Sequence, residues 1–105
     1  MSERELAKLV REFLKKANIY FIETKEELKG KKVKNPGHPD FIVCVNGAFL
    51  AIELKSERYK NPKQGLREVQ KTKMELIKRN GGFYLVSNNF EEIVNFINFL
   101  RKRSP

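Results

Sequence analysis

Asn46-Gly47 stands between two apolar runs, Phe41-Ile42-Val43-Cys44-Val45 and Ala48-Phe49-Leu50-Ala51-Ile52, and no other stretch restricts the fold as much. Both residues tolerate the positive φ that a two-residue hairpin turn needs, and their flanks are rich in β-branched and aromatic residues. With the turn at 46 and 47, Val45 faces Ala48, so Asp40 falls opposite Glu53 and His38 opposite Lys55. Opposed side chains in an antiparallel ladder have Cβ atoms about 4.5–5.5 Å apart, and like charges placed there repel. Residues two apart share a face, which brings Lys55 to the same side as Asp40 and Glu53. Two carboxylates and one ammonium at the open end of an apolar hairpin leave charge to be offset. A divalent cation would offset it, and the set then has the form of a metal-dependent phosphodiester-cleaving site. The plainer alternative is a surface salt bridge between Lys55 and either acid.

The chain has 105 residues, which suits one domain (1–105) with a single core. Lys and Arg outnumber Asp and Glu by 22 to 13, giving a net charge of +9. Such a surface attracts polyanions, nucleic acid first and an anionic membrane second, although it also serves solubility. A single cysteine excludes an internal disulfide and fits a reducing cytoplasm. Cys44 alternates into the hairpin and is expected to be a small buried core residue. No signal-peptide pattern is visible, and the apolar runs are far too short to span a membrane. With one histidine and one cysteine, a zinc site has no basis. A Gly-rich phosphate loop and a Ser-His-Asp set are also missing.

The periodicity predicts a first helix over 3–17, capped by Ser2, with Leu6, Val10, Phe13 and Ala17 on one stripe and Glu3 on the same face. Residues 19–24 read as a strand. Residues 25–37 read as a solvated loop whose Lys31, Lys32 and Lys34 precede His38 and could contact phosphates. After the hairpin, residues 56–65 form a polar loop in which Arg58, Tyr59 and Lys60 are candidate nucleic-acid contacts, Tyr59 either stacking on a base or packing down. A helix over 66–80 follows, with Leu66, Val69, Lys73 or Met74, Leu76 and Ile77 as its buried stripe, stopped by Gly81-Gly82. Residues 83–87 form a short strand expected in the sheet interior. Asn88 or Asn89 caps a last helix whose apolar stripe, Phe90 to Leu100, is wider than one core-facing side needs. Phe96 or Phe99 is then surplus and marks either a dimer interface or a tightly filled small core. Arg101-Lys102-Arg103 reads as a frayed basic tail. The order α-β-β-β-α-β-α makes an α/β fold, a mixed sheet with helices on both faces.

Pro39-Asp40 followed by Glu53-Leu54-Lys55 resembles the PD-(D/E)xK nuclease signature. Gly37-His38-Pro39-Asp40, with Gln70 on a later helix leading to Gly81-Gly82, resembles more narrowly its VRR-NUC branch, near the Holliday-junction resolvases. The resemblance implies a restriction-endonuclease-like core and a Mg²⁺-dependent DNA endonuclease, with Mn²⁺ able to substitute. It implies metal ligation by Asp40, Glu53 and the Leu54 carbonyl, and catalysis supported by Lys55 and Gln70. A first-helix glutamate, here Glu3, would reach toward the metal; the alternative is that Glu3 only suits the positive helix end. Branched or otherwise structured DNA as substrate, a junction, flap or nick, follows from the resemblance as well, and a homodimer is the expected working form. His38 departs from the small or apolar residue common at that position, and is expected to be a loop residue or a phosphate contact rather than a ligand. The rival function is a non-catalytic basic module that binds DNA or RNA.

Overall fold

A computed structural model of the chain describes residues 1–27 and 37–104. Lys31, Lys32 and Lys34 lie outside the described residues. The elements are α1 (Glu3–Lys16), β1 (Phe21–Glu23), a single helical turn α2 (Thr24–Glu27), β2 (Phe41–Val45), β3 (Ala48–Leu54), a 3-10 turn (Pro62–Gly65), α3 (Glu68–Arg79), β4 (Phe83–Ser87) and α4 (Phe90–Lys102). The predicted order holds, with the turn α2 added where a loop was expected. The sheet runs β1-β2-β3-β4, antiparallel for the first two pairs and parallel for β3 with β4.

The hairpin turn forms as its residues dictate. Asn46 takes φ 50° and Gly47 φ 80°. Val45 then pairs with Ala48, and the ladder runs out to Phe41 opposite Ile52. Phe41, Val43 and Val45 alternate onto the same face as Leu50, Ile52 and Leu54, where α1 and α4 cover them. Leu6, Val10 and Leu14 of α1 and Ile93, Ile97 and Leu100 of α4 complete this core, each at most 1 % exposed. Burying a side chain of that size contributes about 1.5–3 kcal/mol, so this layer dominates stability. Ser2 and Glu5 form a reciprocal capping box that starts α1.

The opposite face carries α3 and a smaller core of Ala51, Leu66, Tyr84 and Val86, with Ile42, Met74 and Ile77 packed against it. Here several expectations fail. Val69 and Leu76 are exposed, and the buried residue of α3 is Gln70. Its seat on the sheet is polar because the sheet presents carboxylates there, so the Gln70, Met74 and Ile77 spacing faces inward instead. Cys44 is exposed rather than buried, because α3 covers the site end of the hairpin and leaves its tip bare. β4 lies at the sheet edge, not in its interior, and its apolar residues reflect cover on both faces. Asn89 is the cap of α4, accepting from the Glu92 N–H at 3.0 Å. The basic C-terminal run is tied down: Asn46 donates to the Leu100 and Arg103 carbonyls, and Arg103 lies over the Phe83 ring. Of the surplus aromatics, Phe96 packs against Phe83, and Phe99 is 57 % exposed.

Two outcomes follow from the hairpin. Gly47→Ala meets no neighbouring atom but must keep φ 80°, so it should lower stability by about 1–2 kcal/mol in chemical denaturation. Cys44 should react with a thiol reagent in the native protein at nearly the rate of the unfolded chain; protection by a large factor would contradict its exposure.

Candidate functional site

The ladder register that pairs Phe41 with Ile52 sets Asp40 beside Glu53 at the open end of the hairpin. Gly37 turns the chain into this end with φ 76°, and a Cβ there would come within 2.7 Å of Val69 on α3. The β1 end is fixed too, since Thr24 donates through its N–H to the Asp40 carbonyl and through its hydroxyl to the Pro39 carbonyl. Asp40 Oδ2 accepts the Leu54 N–H at 2.8 Å, and Oδ1 lies 3.5 Å from Lys25 Nζ. Leu54 thus meets Asp40 through its amide.

Glu53, Lys55 and Gln70 are each buried, at 5 %, 9 % and 4 % exposure. Lys55 Nζ lies 3.3 Å from Glu53 Oε2 and donates to Gln70 Oε1 at 3.4 Å. Gln70 Nε2 donates to Glu53 Oε2 at 3.0 Å, and its Oε1 also accepts the Arg67 N–H at 2.8 Å. An amide is the one side chain of this shape that both donates to a carboxylate and accepts from an ammonium and a helix-terminal N–H. Gln70 is therefore part of the site and also a cap for the first turn of α3.

The acids strain against burial. Desolvation first, and the Asp40 charge second, push the Glu53 carboxyl up from 4.5 to about 7, against the opposing pull of Lys55 and Lys25. Among the described residues, Glu53 Oε1 is buried without a hydrogen-bond partner, and so is the Tyr84 hydroxyl on β4. Burial, then the charges of Glu53 and Asp40, raise the pKa of that phenol. An orphaned carboxylate oxygen next to a second carboxylate suits a hard, oxygen-seeking dication such as Mg²⁺, which takes one or two protein carboxylates and keeps its waters. Among the described residues no group of three or more His, Cys, Asp or Glu forms a metal-holding cluster. Glu3 is half-buried and lines the same cleft as Asp40 and Leu54 without completing such a cluster.

The remaining predicted residues surround the site unevenly. His38 is not opposed to Lys55, because the ladder begins at Phe41; its ring nitrogen meets Lys73 Nζ at 3.3 Å on the surface. The loop after Lys55 is held by Asn88, which donates to the carbonyls of Ser56 and Tyr59. Tyr59 packs beside Gly65 next to the Lys55 stem, with Arg58 over its ring at 4.9 Å. Lys60 is exposed and lines a groove with Phe96 and Phe99. Sequence reasoning missed Lys25, Tyr84 and Asn88. Lys25 was read as one of a solvated run, and the other two are placed only by β4.

No family model matches the sequence, and no curated protein does. Among solved structures, the chain is similar to a "VRR_NUC domain protein" with a TM-score of 0.70 and 20 % identity, covering 99 % of this chain and 91 % of that one. The fold is therefore the restriction-endonuclease-like α/β core of that protein, over nearly the whole length of the chain.

In the ion-free protein, folding raises the affinity of Glu53 for its proton. The stability this adds is present at low pH and is lost as pH rises from about 4.5 through about 7, on the order of 2–3 kcal/mol. Urea denaturation in chelator should show wild type losing more stability than Glu53→Gln across that window. Parallel pH profiles for the two proteins would contradict the raised value.

Proposed function

We propose that the chain is a metal-dependent deoxyribonuclease that hydrolyses phosphodiester bonds. The observation that carries this reading is the buried Glu53 carboxylate, with one oxygen partnerless among the described residues, beside Asp40 and within ion-pair distance of Lys55. Its support is threefold: the acid pair at a sheet end, the net charge of +9, and the fold shared with the VRR_NUC domain protein.

Asp40 and Glu53 would hold Mg²⁺ or Mn²⁺, with the Leu54 carbonyl as a further ligand. When bound, the ion supplies Lewis acidity toward a phosphate oxygen and a bound water that is more acidic than bulk water. Lys55 brings a cation to the same point, where it can stabilise charge developing on the phosphate. Gln70 holds Lys55 and Glu53 in fixed relation, which keeps the ammonium aimed without a flexible stem. Glu3 lines the same cleft as Asp40 and would accept hydrogen bonds from ion-bound water. Arg58, Tyr59 and Lys60 leave the site on the loop pinned by Asn88 and would contact DNA flanking the cut, a role we also propose for Lys31, Lys32, Lys34 and His38. Branched DNA of the Holliday-junction kind is the substrate we favour. A homodimer, with Phe99 in its interface, would supply the paired incisions that such DNA requires.

Purified protein with a panel of linear and branched DNAs should cut in Mg²⁺ or Mn²⁺ and not in chelator. Asp40→Asn and Lys55→Met should each lower cutting by about 100-fold or more, with DNA affinity within a few-fold of wild type. Chelator-insensitive binding with no cutting of any substrate would leave a binding module in place of the enzyme.

A further inference from the structure

The cleft that ends at Asp40 and Leu54 is about 1020 Å³ in volume, and one wall of it is α1. Four cations line that wall: Arg4, Lys8, Arg11 and Lys15. At 3.6 residues per turn these positions fall within about 60° of one another on the helix. They form a straight basic stripe beside the apolar stripe of Leu6, Val10 and Leu14 that anchors α1. Arg11 is committed to structure, since its guanidinium grips Glu23 at 2.6 and 2.8 Å. That bidentate contact fixes the rotation of α1 against β1 and neutralises an acid in the cleft. Glu5, another acid there, is occupied by the capping box. Arg4, Lys8 and Lys15 are exposed and make no ion pair among the described residues.

We propose that Arg4, Lys8 and Lys15 are a phosphate track that holds one DNA backbone as it runs along α1 into the Asp40–Glu53 site. The proposal rests on the nuclease reading and adds the direction from which DNA enters. The stripe extends for about 16 Å along the helix axis, long enough for its three cations to meet successive phosphates of one strand. Its cations lie in a concave wall leading to an acidic end, which fits a strand passing through. A flat anionic membrane would meet convex charge instead, with apolar side chains inserted beside it.

The test is a salt titration of DNA binding in Ca²⁺, so that affinity is read apart from cutting. The triple variant Arg4→Gln, Lys8→Gln, Lys15→Gln is compared with wild type and with a control of equal charge, Lys78→Gln, Arg79→Gln, Lys102→Gln. All six positions are exposed, and the control positions lie outside the cleft. The triple variant should lower the slope of log affinity against log salt by roughly two to three, while the control leaves it within about one of wild type. An unchanged slope in the triple variant, or an equal drop in the control, overturns the track. So does loss of binding to phosphatidylserine vesicles with DNA binding intact. If wild type never cuts DNA, the nuclease reading fails whatever the slopes; if it cuts and the slopes are equal, only the track fails.

Discussion

A buried carboxylate needs donors, and the whole site can be understood as the supply of donors to Glu53 and Asp40. Glu53 is placed in the sheet by a hairpin whose other residues are nearly all apolar, so water cannot solvate it. Leaving such a group uncompensated would cost several kcal/mol, more than one contact in a small domain returns. Gln70, Lys55 and the Leu54 N–H each meet one or other of the two acids, and one oxygen of Glu53 is still left over. Among the described residues Glu53 is thus met at Oε2 and unmet at Oε1.

The two faces of the sheet divide the work. The face under α1 and α4 is dry and holds the larger core, which makes the hairpin a rigid base. The face under α3 has a thinner core and gives up its best-buried helical position to an amide. β4 joins these layers: Ser87 closes the parallel ladder against Leu54, and Asn88 next to it fastens the loop that follows Lys55. Rigidity around a polar cluster is what preorganises charge for catalysis, since groups already aimed need no reorganisation.

The features that were legible in the sequence are those set by neighbours along the chain. Asn46-Gly47 fixed the register of the hairpin. Ser2 as N-cap marked the start of α1. The readings that failed depended on what lies across space. Val69 and Leu76 looked buried because apolar periodicity assumes an apolar partner surface, whereas α3 docks on carboxylates through Gln70. Cys44 looked buried because alternation says which face a residue points to and not whether anything covers that face. Lys25 is exposed, as read, and what the sequence did not show is that its ammonium also comes within 3.5 Å of Asp40, because Thr24 bonds to the Pro39-Asp40 segment.

Local chemistry along the chain was thus enough to yield the hairpin, the order of elements, and the Asp40, Glu53 and Lys55 trio, since turn geometry and the pleat fix neighbours at short range. Assembly of distant segments supplied the rest. It set Gln70 between Lys55 and Glu53, left one Glu53 oxygen and the Tyr84 hydroxyl without partners, and laid the basic side of α1 along the cleft to Asp40. Burial and hydrogen-bond satisfaction are properties of packed surfaces. They come into being only when helices and sheet exclude water together, and no run of neighbouring residues carries them alone.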